Sequence, residues 1–251
     1  NLEDSRFVES DLTAARFSGA RLGMASFIKA DLTGADFSQA HLERTNFIEC
    51  QFKGVNFNGA SMQQPIFQAP DLQGQDFSGM NLSMAQFREA NLAACNFSGC
   101  NLVQTSFMEA DLNQAVFDNA NAGLAIFYGS NLRSASLRKV NLEQASMQSC
   151  QLHYADLTGS NMTQAQLGES ECEGAVFAGA DLNYADLSHC DLSNADMSDT
   201  KLFRANLHAV IQQGTLWGGA AKVMALGEDS KRLRAEQWKP RQGRGNNDAD
   251  R

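Results

Sequence analysis

Six cysteines, four histidines and 29 acidic residues are the side chains of this 251-residue chain that could do chemistry. Together, cysteines and histidines could ligate zinc or form a nucleophile with its base. The cysteines have no CxxC spacing, and no histidine has a nearby nucleophile. We therefore expect the cysteines to be buried as small apolar residues, in a reducing compartment, and the histidines to lie on the surface. The histidines are His41, His153, His189 and His208.

Motifs that would position a phosphate, a metal or a catalytic serine are missing from the sequence. It contains no GxGxxG, GxxxxGK[ST], GxSxG or HExxH. A glycan-active β-helix enzyme would need carboxylates clustered in one groove, and the acidic residues show no such cluster. The sequence therefore predicts no catalytic site, no metal site and no cofactor.

A five-residue period organises the chain instead, and it matches neither the helical period of 3.6 nor the strand period of 2. Every position whose number ends in 2 or 7, from Leu2 to Leu207, holds Leu, Phe or Met, except Ala122 and Cys172. These 42 positions contain 15 of the 16 phenylalanines. The residue two before each large one is usually small, and the residue just before it is polar. The large and small positions therefore predict a crowded interior.

The runs ADLTGADFSQA, ANLAACNFSGC and ADLNYADLSHCDLSNADM resemble the pentapeptide repeat proteins, and the resemblance covers residues 1–210. It implies an all-β solenoid, a right-handed quadrilateral β-helix of about ten coils, in which four pentapeptides form one 20-residue coil. The physics agrees, because a five-residue unit cannot bury its large side chain alone and must stack on identical neighbours.

Two regions are predicted. Residues 1–210 form the β-helix, and residues 211–251 form a cap or dimerisation segment that ends in a disordered basic tail. Short helices are expected in this second region around AAKVMAL and around DSKRLRAEQW, and Asp229 is expected to cap the second helix. In the relatives a C-terminal helix caps the rod or joins two rods end to end, so a homodimer through this segment is one expectation. The candidate cap or dimer residues are Trp217, Val223, Met224 and Leu226. Because the repeat is already in register at Leu2, we expect a trimmed chain or part of a longer one.

Charge is uneven along the predicted rod. Residues 1–210 carry 24 acidic and 12 basic residues, and residues 211–251 carry 5 and 8. One column at 20-residue spacing contains only acids and amides. Its members are Asp11, Asp31, Gln51, Asp71, Asn91, Asp111, Asn131, Gln151, Glu171 and Asp191. Two explanations remain open: a structural Asn/Asp ladder, or a row of carboxylates that imitates DNA phosphates. The acidic members are candidate partner-binding residues.

Departures from the repeat mark further candidate contacts. Pro65 and Pro70 take inward positions, where we expect the coil to swell because proline lacks a donor. Ile66 and Ile126 take outward positions of one column, which predicts an apolar contact.

A non-catalytic scaffold, a rigid rod that binds a protein partner, is the first functional hypothesis, for example as the repeat module of a larger bacterial secretion or effector protein. The alternative is a DNA-mimicking protein that binds DNA gyrase, since the family includes quinolone-resistance proteins that do so. Against the alternative stand the concentration of acids at one end, the twelve basic residues along the rod and the lack of a projecting loop. We expect no direct nucleic-acid binding and no membrane span, and we expect a cytoplasmic location, with specialised secretion left open.

Overall fold

In the computed structural model, residues 1–238 are described, and they form a four-sided parallel β-helix followed by a short helical segment. The predicted disordered tail after residue 238 lies outside the described residues. The regular strands are β1 (Arg6–Val8), β2 (Ser26–Ile28), β3 (Asn46–Ile48) and β4 (Ile66–Gln68), paired in parallel in the order β1-β2-β3-β4. Elsewhere single bridges join most residues whose numbers end in 1 or 6 to the residue 20 positions later, as in Asp111↔Asn131.

Each corner of the coil requires one residue in the left-handed region, and this explains the spacing of the repeat. Among residues 1–238, the residues with positive φ all lie at positions whose numbers end in 4 or 9, from Asp4 to Gly219. Thirteen of them are glycines, such as Gly99 with φ 64°, and 31 are other residues, such as Tyr184 with φ 60°. The stacking of coils therefore imposes a backbone conformation that most L-residues avoid.

Stacked aromatic rings form much of the core. Phe7 and Phe27 lie parallel with ring centroids 4.7 Å apart, and Phe17 and Phe37 lie parallel at 4.8 Å. Rings of the two columns meet edge to face, as between Phe27 and Phe37 at 5.6 Å. Both arrangements suit the quadrupole of the ring. The central residues are buried from Phe17 to Leu207, whereas Leu2, Phe7 and Leu12 in the first coil are only partly buried.

The stack is interrupted between the third and fourth coils. Within residues 1–238, bridges from Gln51, Asn56 and Ser61 to the next coil are absent, whereas the pairing of β3 with β4 is kept on the fourth face. The centroids of Phe57 and Phe77 are 6.2 Å apart, the widest spacing in either aromatic column. We call this feature the coil break.

Oversized inward residues explain the coil break. Pro65, Pro70, Gln75 and Met80 stand where other coils have Ala, Ser, Thr, Val or Cys, and Phe52 stands in a column that is otherwise largely leucine. Extra volume in a packed core displaces the backbone. The Nε2 atom of Gln75 donates to the Val55 carbonyl at 3.2 Å, a side-chain contact in place of the backbone bond found elsewhere. The swelling expected at the two prolines is therefore present, and two further residues contribute to it.

The coil geometry extends beyond the boundary predicted at residue 210. Corner turns continue to Gly214 and Gly219, with φ of 74° and 72°, and Leu216 bridges to Asp196. Gln212 breaks the apolar register, but Trp217 restores it five residues later. The coil geometry thus continues about half a coil beyond residue 210.

A 3₁₀ helix at Lys222–Met224 and an α-helix, α1, at Ser230–Glu236 complete the described chain. The predicted cap at Asp229 is confirmed, since its side chain accepts hydrogen bonds from the backbone N–H groups of Lys231 and Arg232. Among residues 1–238, no helix has the length and apolar character that a membrane span requires.

Candidate interaction surface

The predicted acid and amide column lies on one face of the rod, with each member next to its neighbours in adjacent coils. Asp11, Asp71, Asp111 and Glu171 are exposed, and Asp31 and Asp191 are half-buried. The column is not continuous, because the coil break separates Gln51 from Asp71.

Hydrogen bonds use most of these carboxylates within the fold. The amide of Asn91 donates to Asp71 Oδ1 at 2.8 Å, and the amide of Asn131 donates to Asp111 Oδ1 at 2.8 Å. The column therefore contains the ladder that the structural explanation predicts.

Within each repeat, the carboxylate also accepts from the backbone N–H two residues ahead. For Asp11 the donor is Thr13, at 3.0 Å. Hydrogen bonds from the side chain and the backbone of Thr13 lower the pKa of Asp11 below its usual value. Asp31 and Asp191 make the same turn contact, at 2.9 Å each. The repeat thus places Asp or Asn at a position that closes the turn.

The acidic residues near the C-terminal end of the rod surround it rather than forming a stripe. They occupy outward positions of all four faces, at Asp181, Asp186, Asp191 and Asp196, whose numbers step by one pentapeptide. Between residues 140 and 200 there are ten acids and no Lys or Arg. The result is a negative sleeve around the coils.

Ile66 and Ile126 do not form one apolar patch. Ile66 is 45% exposed and begins β4, next to the coil break. Ile126 is half-buried and lies three coils away in a groove of about 920 Å³ that also contains Met108 and Tyr128. Gln86 and Ser106 separate the two isoleucines along the column, so a partner would meet them at two separate points, and their role in binding stays a prediction.

Only one of the four candidate cap residues packs against the core. Trp217 is partly buried there, and the Lys222 ammonium lies 4.1 Å from its ring centroid. Val223 is 93% exposed, and Met224 and Leu226 are about half exposed. Leu226 faces outward because it bridges to Asn206 and so continues an outward column. Their exposure does not support a cap role for these three residues, and the assignment as cap or dimer residues stays a prediction.

The cysteines behave as the sequence predicts. Five are buried, Cys50 is half-buried, and all six are free. Burial raises the pKa of Cys95 to about 12 and that of Cys100 to about 11. These thiols are therefore poor nucleophiles and poor metal ligands.

His208 departs from the prediction of surface positions. His208 is almost completely buried, and with His189 it meets Glu236 of α1, the three ligand atoms lying within 4.8 Å of one another. Sequence reasoning missed this cluster because Glu236 lies outside the repeat. The 19-residue spacing of the two histidines, close to one coil, was the signal that could have paired them.

Comparison with known proteins agrees with the fold. A family model described as pentapeptide repeat region matches residues 20–93 and 77–147, and one described as pentapeptide repeats (8 copies) matches residues 170–208. No curated protein matches the chain.

Several solved structures are similar. HetL, a pentapeptide repeat protein involved in heterocyst differentiation regulation from the cyanobacterium Nostoc, is 24% identical, with 91% of this chain and 90% of that chain covered and a TM-score of 0.42. QnrB1, a plasmid-mediated fluoroquinolone resistance protein, is 20% identical over 92% of each chain, with a TM-score of 0.28. A thylakoid-lumen protein from Arabidopsis thaliana is 26% identical over 53% of this chain and 68% of that one, with a TM-score of 0.19. Because the family models match more than half of the residues, the chain belongs to the pentapeptide repeat family, whose members form right-handed quadrilateral β-helices.

Proposed function

We propose that this protein is a non-catalytic scaffold, a stiff rod whose faces bind a protein partner. The main support for the proposal is that carboxylates of the acid and amide column accept hydrogen bonds within the fold. Asp71 and Asp111 accept bonds from the neighbouring asparagines at 2.8 Å, so the acid column is part of the ladder between coils. Surface contacts then depend on outward side chains that the ladder does not use.

The spacing of carboxylates along the column distinguishes the scaffold function from the alternative, a gyrase-binding DNA mimic. Ten coils at about 4.8 Å each span about 48 Å, and the column carries six carboxylates along them. That is one charge per about 8 Å, compared with one per about 1.7 Å of axis in double-stranded DNA. The column is therefore too dilute to imitate a duplex by itself.

The negative sleeve is the observation that favours the alternative. Its ten acids lie within three coils and attract basic surfaces, although they surround the rod instead of following two phosphate rows. A gyrase partner would therefore contact the C-terminal coils. We rank this function second.

A supercoiling assay with purified gyrase, with and without a fluoroquinolone, tests the two functions at low and high salt. The scaffold proposal expects no effect at any protein concentration. Protection or inhibition that weakens as salt rises would support the mimic, because screening reduces contacts between exposed charges.

Cross-linking in an extract of the source organism tests the scaffold directly. The Ile66→Glu and Ile126→Glu variants should lose cross-linked partners that the natural chain keeps. Gln86→Glu is the matched control, since Gln86 is exposed in the same column between the two isoleucines. Equal loss in the control would show that charge alone disturbs the contact, and no loss in any variant would exclude this column as the contact face.

A further inference from the structure

Three side chains from separate parts of the chain converge where α1 meets the last coils. The Nε2 atom of His208 lies 3.3 Å from Glu236 Oε2, and the Nε2 atom of His189 lies 3.4 Å from the same oxygen. The two rings stand edge to face, with centroids 5.4 Å apart. One carboxylate oxygen therefore faces two imidazole nitrogens.

These distances fit a metal site as well as a hydrogen bond, and all three ligand atoms lie within 4.8 Å of one another. A charge-assisted bond from imidazole to carboxylate is typically about 2.7–2.9 Å long. Ligand atoms about 2.0–2.1 Å from a tetrahedral zinc ion lie about 3.3 Å from one another. Both separations to Glu236 Oε2, 3.3 and 3.4 Å, are close to the second value.

We propose that His189, His208 and Glu236 bind one divalent transition-metal ion of the zinc type, which fastens α1 to the rod. Two imidazoles and one carboxylate are a zinc ligand set, with a fourth position left for water. The groove of about 920 Å³ that contains Ile126 also reaches His189 and Glu236, so water has access to that position.

Neighbouring groups define how the ligands are held. Arg232 Nε donates to Glu236 Oε1 at 2.7 Å, which leaves Oε2 as the single ligand oxygen. The backbone N–H of Asp229 donates to His208 Nδ1 at 3.1 Å. Without metal, the neutral His208 ring therefore carries its proton on Nε2, where it faces Glu236.

Metal binding then has a specific structural consequence. A metal at Nε2 binds the lone pair of that nitrogen, so the single proton of the neutral ring must move from Nε2 to Nδ1. The Asp229 N–H then loses its acceptor and must move away from the ring. This rearrangement lowers the affinity, and it also gives a signature that unspecific surface binding would lack.

The test uses the full chain without an affinity tag, kept reduced, and titrated with Zn²⁺ against a chromogenic chelator. We expect one ion per chain, and at least tenfold weaker binding in His189→Ala and in Glu236→Gln. The control is His41→Ala, because His41 is exposed, lies at the other end of the rod and faces one carboxylate, Glu43, at 3.9 Å. His208 is buried, so its replacement is not the primary variant.

Two spectroscopic readouts accompany the titration. Co²⁺ should give visible bands of a tetrahedral site without thiolate charge-transfer absorption, which excludes the cysteines as ligands. On adding Zn²⁺, amide exchange should slow in α1 and accelerate at Asp229. No saturable binding, or full binding in both primary variants, would overturn the proposal and leave a hydrogen-bonded contact between α1 and the rod.

Discussion

At the residue scale, each pentapeptide is defined by one backbone requirement and one packing requirement. The corner residue must adopt positive φ, and the central residue must fill the interior. Non-glycine residues occupy 31 corners, so stacking compensates for a conformation that costs about 1–2 kcal/mol for an L-residue. The sequence therefore tolerates many side chains at the corners but few at the centres.

Gly99 tests the corner requirement. With φ of 64° and no atom within 4 Å of an added Cβ, Gly99→Ala meets only backbone strain, so we expect a loss of about 1–2 kcal/mol in the free energy of unfolding. The control is Gly123→Ala, whose φ is not positive and whose Cβ would meet Asn141 Nδ2 at an ordinary 3.5 Å. That change should be neutral or stabilising by up to about 1 kcal/mol. Equal effects in urea unfolding would contradict the corner argument.

The pH dependence of stability at Asp36 tests whether the hydrogen-bonded ladder stabilises the fold. The Ser38 backbone N–H donates to its carboxylate at 3.0 Å and the Asn56 amide does so at 3.0 Å, and hydrogen bonding to Ser38 is the main cause of its lowered pKa. A lowered pKa stabilises the fold above the unfolded pKa, and this stabilisation disappears as pH falls through the folded pKa.

The Tm of the natural chain should therefore exceed that of Asp36→Asn at pH 7. The gap should narrow as pH falls below about 4, where the unfolded chain takes up the proton first, and close once pH is below the lowered folded pKa, where the carboxyl is protonated in both states. Melting curves recorded from pH 7 to pH 2.5 measure it, and a gap that stays constant over this range would show that the ionised form adds nothing.

At the element scale, the coil is the unit, and most of its core was predictable. The five-residue register predicted the central residues from Leu2 to Leu207, because the inward side chains set the period. The coil break was only partly predictable: Pro65 and Pro70 indicated it, but the effect of Gln75 and Met80 depends on the space in the stacked coils. The cluster at Glu236 was not predictable, since the path of residues 227–229 places α1 beside the histidines.

Amide exchange tests the coil break. Within residues 1–238, the N–H groups of Phe57 and Gly59 make no hydrogen bond to the next coil, whereas those of Phe77 and Gly79 donate at 2.8 Å. We expect faster exchange in residues 52–60 than in residues 72–80, which occupy the same columns one coil later. The Gln75→Ala/Met80→Ala variant should slow exchange in 52–60 only. Unchanged exchange there would mean that Gln75 and Met80 are not a cause of the coil break.

At the scale of the whole molecule, the rod is a one-dimensional stack, so its stability is a sum of coil and interface contributions. The coil break is the weakest internal interface, because one face of four keeps its pairing. The N-terminal three coils also expose Leu2, Phe7 and Leu12 in part. We infer that these coils unfold before the remainder.

Two probes can separate the parts of the rod during urea unfolding. The two tryptophans, Trp217 and Trp238, lie on the C-terminal side of the coil break, so their fluorescence reports that side alone, whereas circular dichroism reports the whole rod. We expect the circular dichroism midpoint at lower urea than the fluorescence midpoint. Coincident midpoints in the natural chain would show that the coil break does not divide the rod, and in Gln75→Ala/Met80→Ala the two should converge.

The coil break also has a mechanical consequence. At the coil break β3 and β4 stay paired on one face, while the opposite face has no pairing between the two coils. Bending that moves the unpaired edges apart meets little resistance, whereas bending that presses them together compresses the packed phenylalanine rings. The bending stiffness of the molecule should therefore depend on direction, with compliance concentrated at one height and in one plane.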